Sequence, residues 1–157
     1  MNTSLMTLAL LFALRVGVAQ AQADDSQVTY LGADQVKAAF AKGMPMVEVG
    51  DYKIHASRRE GPGMAEVHTR DTDIAYVLQG SATLVTGGTA TNLKPTAAEE
   101  LRGSGIVGGE TRKLEPGDVV IIPNGIPHWF KEVSAPFLYY VVKVRQAKRQ
   151  VAMETRP

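Results

Sequence analysis

The chain has 157 residues, a length typical of one domain, and its 17 basic and 16 acidic side chains leave a formal charge of +1. A charge so close to zero argues against a nucleic-acid partner held through phosphate contacts. The sequence contains no cysteine, which excludes thiolate metal sites, thiol catalysis and disulfides. Any metal must therefore be bound by histidine, carboxylate, backbone oxygen or water.

Residues 1–23 have the features of a secretory signal peptide. An apolar run over residues 5–14 leads to Ala21-Gln22-Ala23, a small-x-small cleavage pattern that polar residues follow. The run is shorter than the roughly 20 apolar residues that a membrane-spanning helix needs, although an uncleaved anchor is the alternative. The sequence predicts cleavage after Ala23 and a secreted or periplasmic protein with no stable membrane span.

The first predicted element of the mature chain is a short helix over residues 34–42. Val36, Ala39 and Phe40 share one face of this helix, and Gly43 follows its end. The helix belongs to an N-terminal segment, residues 24–43, that precedes the main domain.

Short runs rich in Val, Ile, Tyr and Thr follow, separated by Gly and Pro, and these runs predict β-strands. The predicted strands are residues 46–49, 52–59, 64–69, 74–79, 82–86, 110–114, 119–122, 128–133 and 137–144. Many short strands with little helix predict an all-β sandwich or barrel over residues 44–145.

Two further segments of the chain lack a clear strand pattern. Residues 87–109, which are rich in Gly, Thr and Ala, are predicted to form an irregular surface excursion with one helical turn at residues 97–102. Residues 146–157 are predicted to be a C-terminal tail.

The first stretch of chemical interest is a strand, a turn and a second strand between Gly63 and Gly80. Glu66, His68 and Arg70 alternate along the first predicted strand, so they are expected to share a face. Asp73 begins the next strand. Two hairpins of one small barrel can bring such residues together at its mouth.

The second stretch contains Gly117, Pro123, Gly125 and His128. Its Asn-Gly pair predicts a hairpin turn, and His128 opens the strand that returns from it. The two stretches together resemble the two motifs of the cupin family. The first of those motifs contains Gly, His-x-His, Glu and a closing Gly, and the second contains Gly, Pro-x-Gly and His.

The resemblance covers roughly residues 44–145. It implies a double-stranded β-helix jelly-roll barrel with a short N-terminal helix, and an interior site for one divalent metal. Three of the family's four ligand positions carry over, as His68, Asp73 and His128. Two histidines and one carboxylate suit non-haem iron, and zinc is also possible, so the candidates are Fe, Mn, Ni, Cu and Zn.

Arg70 stands at the fourth ligand position, where the family has its second histidine. A guanidinium cannot coordinate a cation, so Arg70 is predicted to clamp a substrate carboxylate, with pairing to Asp73 as the alternative. Glu66 is predicted as a second catalytic residue. It is also an alternative metal ligand and an alternative partner for a nearby arginine.

The predicted function is that of a secreted small cupin enzyme that depends on a metal. An oxygenase, lyase, isomerase or decarboxylase reaction on a small polar or carboxylate-bearing metabolite is expected in the barrel interior. The alternative is a non-catalytic module that binds a small ligand without a metal. The resemblance also implies a homodimer.

Overall fold

The structure, a computed structural model, describes residues 26–146, so the predicted signal peptide and residues 147–157 of the predicted tail lie outside the described residues. The described part contains one helix, α1 (Ala33–Lys42), and thirteen strands. The strands are β1 (Pro45–Glu48), β2 (Tyr52–Arg59), β3 (Ala65–His68), β4 (Asp71–Gln79), β5 (Ala82–Thr86), β6 (Thr89–Thr91), β7 (Lys94–Ala97), β8 (Glu100–Gly103), β9 (Gly105–Val107), β10 (Glu110–Leu114), β11 (Val119–Ile122), β12 (His128–Val133) and β13 (Phe137–Arg145). Within residues 26–146 no helix has the length and apolarity that crossing a membrane requires.

The strands form two main antiparallel sheets and one small one. The first sheet has five strands in the order β1-β2-β13-β4-β11, and the second has six in the order β10-β5-β12-β3-β8-β7. Strands β6 and β9 pair separately. The expected all-β barrel with a short N-terminal helix is therefore confirmed, and each of the nine predicted strands is present.

The hydrophobic core lies between the two main sheets. Phe137 and Tyr139 of β13 pack against Phe130 of β12, with ring centroids 5.2 to 5.7 Å apart. Leu84 of β5 and Val77 of β4 are fully buried beside them. Burying large apolar side chains from both sheets is the main stabilising contribution to such a barrel, and this core needs no ligand to form.

The prediction for residues 87–109 was wrong. This segment contains the four strands β6 to β9, and β8 pairs along the whole length of β3, from Ala65–Gly103 to His68–Glu100. No helical turn forms at residues 97–102, because β8 begins at Glu100. Strands β7 and β8 of the segment belong to the second sheet, where β8 pairs with the strand that carries His68.

The predicted Asn-Gly turn lies between β11 and β12 and positions the second stretch against the first. Gly125 has a φ of +80°, a left-handed conformation that favours glycine. Its N–H donates a hydrogen bond of 2.8 Å to the carbonyl of His68, and Trp129 Nε1 donates one of 2.7 Å to the carbonyl of Gly63. These bonds join the two stretches at one end of the barrel.

Candidate metal centre

The register of the second sheet brings Glu66 and His68 of β3 to the centre of the candidate site. Glu66 lies opposite His128 of β12 on one side and opposite Arg102 of β8 on the other. His68 lies opposite Glu100 of β8. Since side chains alternate along a strand, Glu66 and His68 point to the same face. Both are buried, as is His128.

The first sheet contributes Asp73 of β4 and Lys143 of β13, which are direct cross-strand neighbours. The Lys143 Nζ donates hydrogen bonds of 2.8 and 2.9 Å to the two carboxylate oxygens of Asp73. It also lies 2.8 Å from Nε2 of His68. The site thus combines side chains from both sheets.

Three of these residues can hold a metal ion together. Glu66, His68 and His128 each offer one ligand atom, and the three atoms lie within 4.8 Å of one another. Glu66 Oε2 is 3.8 Å from His68 Nε2 and 4.0 Å from His128 Nε2. Two metal bonds of about 2.1 Å can span roughly 4.2 Å at most, so both separations are within reach of one ion.

The two oxygens of Glu66 have different surroundings. Oε1 faces two guanidinium groups, at 3.7 Å from Arg59 and 3.4 Å from Arg102. Oε2 faces the two histidines. Arg59 is already held by Tyr139, whose hydroxyl accepts a 3.1 Å hydrogen bond, and by the ring of Phe130. The arginines therefore orient the carboxylate so that Oε2 is directed toward the position a metal would take.

The surroundings of His128 favour metal ligation through its Nε2 atom. Its Nδ1 lies 3.2 Å from the carbonyl of Ile126, and when Nδ1–H donates to that carbonyl, Nε2 carries the free lone pair. Burial lowers the pKa of His128, and the neighbouring His68 lowers it further. A neutral imidazole is the form that binds a metal.

His68 experiences opposing influences. Burial lowers its pKa, but hydrogen bonds to Asp73 and Glu100 outweigh burial and raise it to about 9. Nδ1 lies 2.8 Å from Glu100 Oε1. The contact with Lys143 opposes this rise, because Nε2 can accept from the ammonium only when it has no proton of its own. A metal at Nε2 likewise requires that Nε2 carry no proton, so a ligating His68 would keep its proton on Nδ1, facing Glu100.

Asp73 contributes stability that acid removes. Burial raises the pKa of Asp73, but the hydrogen bond with His68 and the charge of Lys143 outweigh burial and lower it to about 2. A carboxyl with a lowered pKa stabilises the fold while ionised, and this contribution is lost as the pH falls from about 4 to about 2. We expect Asp73→Asn to lack this contribution of about 2 kcal/mol. Urea unfolding across this pH range measures it, and equal pH slopes for both proteins would contradict the assignment.

Arg70 lies away from this cluster. Its guanidinium bonds to Glu99 Oε1 at 3.1 Å and to the carbonyl of Gln146 at 2.9 Å. The expectation that Arg70 shares a face with Glu66 and His68 is not met, since β3 ends at His68 and strand alternation stops there. The structure therefore offers no support for Arg70 as an anion clamp beside the histidines.

The first motif has a register that differs from the sequence-based alignment. Glu66 and His68 are separated by one residue, as are the two histidines of the family's His-x-His, and both point into the site. Glu66 then takes the position of the first histidine and His68 that of the second. Asp73 keeps the position of the motif's Glu, but Lys143 engages both of its oxygens. The metal roles of His68, Asp73 and His128 stay predictions.

A cavity of about 430 Å³ opens onto the cluster. Its lining includes Glu66, His68, Lys143, and three residues that the sequence did not single out for this site: His55, Glu100 and Arg102. Glu100 and Arg102 lie in the segment 87–109, which was predicted to be an irregular surface excursion, and so they were not assigned to the site. Lys143 was not predicted as a site residue, although it follows Phe137, Tyr139 and Val141 at alternate positions of the predicted strand 137–144, a spacing that points it inward.

Comparisons with known proteins agree with this fold. The family model described as Cupin matches residues 23–156. No curated protein matches the chain. Among solved structures, BH2720 from Bacillus halodurans is 13% identical, with 79% of this chain and 86% of that chain covered and a TM-score of 0.55. Protein NMB1881 from Neisseria meningitidis is 11% identical, with coverages of 74% and 99% and a TM-score of 0.49.

A third similar structure is that of an enzyme. Hydroquinone 1,2-dioxygenase from Sphingomonas sp. TTNP3, with 4-hydroxybenzoate bound, is 14% identical, with 64% of this chain and 63% of that chain covered and a TM-score of 0.46. At this identity and TM-score the likeness carries no activity over to the chain.

Proposed function

Because the chain belongs to the cupin family, we propose that it is a metal-dependent enzyme that acts on a small polar or carboxylate-bearing metabolite inside the barrel. The observation that carries the proposal is the convergence of Glu66 Oε2 with the Nε2 atoms of His68 and His128. Oxygenase, lyase, isomerase and decarboxylase reactions all fit such a site.

Glu66, His68 and His128 would hold the metal. Two imidazoles, one carboxylate and open positions suit Fe, Mn, Ni, Cu or Zn. When bound, such an ion acts as a Lewis acid toward a substrate oxygen or activates oxygen or water. This ligand set replaces Asp73 of the sequence-based prediction with Glu66, since Lys143 already neutralises the Asp73 carboxylate.

Arg102 is the residue that best fits the role of anion clamp. Its guanidinium lines the cavity, and its side chain is 41% exposed, so it has donors free for a second partner besides Glu66. Arginine binds a carboxylate through two parallel hydrogen bonds. In this proposal Arg102 orients the acid group of the substrate, while Arg59 keeps Glu66 in place.

Metal titration of two carboxylate variants tests the ligand set. We expect Glu66→Gln to weaken Mn²⁺ or Zn²⁺ binding at least about tenfold, since an amide is a far poorer ligand for these ions than a carboxylate. Asp73→Asn should weaken binding less than Glu66→Gln, because in this ligand set the Asp73 carboxylate neutralises Lys143 and does not itself bind the metal. Calorimetric titration at neutral pH measures both. The opposite ranking, with Asp73→Asn the weaker binder, would restore the sequence-based set and contradict this one.

A second candidate function is a metal-free module that binds small anions. The observation that favours it is the ammonium of Lys143, which lies 2.8 Å from His68 Nε2. In that case Arg102 and Lys143 would hold the anion directly. A protein that binds malonate equally well before and after treatment with a chelator, and takes up no added metal, would support this candidate over the enzyme.

We also propose that the protein is exported and cleaved after Ala23. The support is the apolar run and the small-x-small pattern of residues 1–23. Mass spectrometry of the protein from its native source should find a mature chain that begins at Asp24. A chain that retains Met1 would contradict export with cleavage.

A homodimer is the proposed assembly. Five large apolar side chains are exposed on two adjacent strands at one edge of the first sheet: Ile74, Tyr76, Leu78, Val119 and Ile121. An exposed patch of this kind typically marks an interface, and a β11 edge can pair with its copy. Light scattering should give a dimer for wild type and a monomer for Ile121→Lys. A monomeric wild type would contradict the proposal.

A further inference from the structure

Lys143 places a cation at the ligand atom of His68. Its Nζ is 2.8 Å from His68 Nε2 and 2.8 and 2.9 Å from the two oxygens of Asp73. The Lys143 side chain is only 14% exposed, so it is no solvated surface lysine. The ammonium therefore makes hydrogen bonds with two of the three residues that the sequence predicts as metal ligands.

The fold fixes this position. Lys143 and Asp73 are cross-strand partners on β13 and β4, two long strands whose pairing runs from Leu138–Gln79 to Arg145–Asp71. Alternation along β13 directs Lys143 to the same side as the buried Val141. The pairing of β13 with β4 therefore places the ammonium beside Asp73 and His68 at the candidate metal centre.

A metal ion and this ammonium compete for the same electron pairs. A metal bound at His68 Nε2 requires the lone pair that faces Lys143, and two cations at close range repel each other strongly where water is excluded. Both oxygens of Asp73 are occupied as well. An ion can be accommodated only if Nζ withdraws from His68 while it remains paired with Asp73.

We infer that Lys143 is a built-in competitor of the metal, which restricts the ligand set to Glu66, His68 and His128 and lowers metal affinity. The inference rests on the proposed metal site and concerns the affinity of that site for its metal ion. Removing the ammonium eliminates the repulsion and frees Asp73 as a fourth ligand. Lys143→Met should therefore bind Zn²⁺ or Mn²⁺ at least tenfold more tightly than wild type.

The experiment is a calorimetric titration of the full chain with Zn²⁺ and with Mn²⁺ at neutral pH. Lys113→Met is the matched control, because Lys113 is an exposed lysine that pairs with Glu115, and neither residue lines the cavity. Its affinity should equal that of wild type. A thermal melt with and without metal gives a second readout, in which Lys143→Met should be less stable without metal and gain more from it.

Lys143→Met removes the ammonium that is paired with the buried Asp73 carboxylate, and this variant can fail to fold without metal. The double variant Lys143→Met with Asp73→Asn removes both charges and avoids that problem. Compared with Asp73→Asn alone, it isolates the effect of the ammonium, and it should bind metal at least tenfold more tightly. Equal affinities in this pair would overturn the inference even if the single variant does not fold.

The outcomes separate the inference from the proposed function. If wild type binds metal and removal of the ammonium leaves the affinity unchanged, the inference is wrong and the proposed site stands. If only the variants without Lys143 bind, the inference holds and a resident metal in the wild-type protein is excluded. If neither the wild type nor the variants without Lys143 bind metal, the inference and the proposed metal site are both overturned.

Discussion

Replacing His128 by alanine should lower the affinity for Zn²⁺ or Mn²⁺ by at least about 100-fold, because one of only three protein ligands is lost. The barrel itself should fold as before. Its core around Phe130, Phe137 and Tyr139 lies between the sheets and is formed without a metal. Calorimetric titration gives the affinity, and circular dichroism with urea unfolding checks the fold.

His55→Ala is the matched control for this experiment. His55 lines the cavity that opens onto the cluster, and burial lowers its pKa, but its ring is not among the three clustered ligands. Its removal should change metal affinity by less than about threefold, since no bond between the protein and the metal is lost. Equal losses for the two histidine variants would mean that the metal binds elsewhere in the cavity.

Arg102→Met should weaken the binding of small carboxylates to the metal-loaded protein at least about tenfold, as expected when a charge-assisted contact of about 1.5 to 3 kcal/mol is removed. Malonate and benzoate serve as probes, and calorimetric titration measures their affinity for each variant. Methionine retains most of the stem of Arg102, so packing against the cavity wall is preserved.

The matched comparison is Arg70→Met. Arg70 was the clamp expected from the sequence, but its guanidinium is engaged by Glu99 and the carbonyl of Gln146. Its replacement should leave carboxylate binding nearly unchanged. A loss confined to Arg70→Met would return the clamp to the position expected from the sequence. Metal affinity is measured in both variants, so that an indirect effect of Arg102 through Glu66 is detected.

The sequence alone predicts those parts of the fold that have strong local signals. The strands rich in Val, Ile and Tyr and the Asn-Gly turn before His128 depend on residue preferences within a few positions, and each is found where it was expected. The segment 87–109 was missed because β6 to β9 are three or four residues long. Their pairing with one another, and that of β8 with β3, makes them strands, and their composition does not indicate it.

The positions of the residues around the candidate site could be predicted only in part, for a similar reason. His68 and His128 follow from the motifs. Whether Glu66 or Arg70 points into the site depends on where β3 ends, and the sequence defines that boundary only to within one or two residues. Lys143 could have been recognised from alternation with Phe137, Tyr139 and Val141. Its pairing with Asp73 could not, since the register of β13 on β4 is set by packing across the whole barrel.

The central claim is that Glu66, His68 and His128 hold one divalent transition metal, and elemental analysis of the untagged protein tests it most directly. The full chain should be purified without chelators, alongside His128→Ala prepared identically. The account predicts about one metal ion per chain for wild type and a small fraction of that for His128→Ala, because three protein ligands suffice for one ion and two do not. Negligible metal in both preparations, together with no uptake of added Fe, Mn, Ni, Cu or Zn, would contradict it.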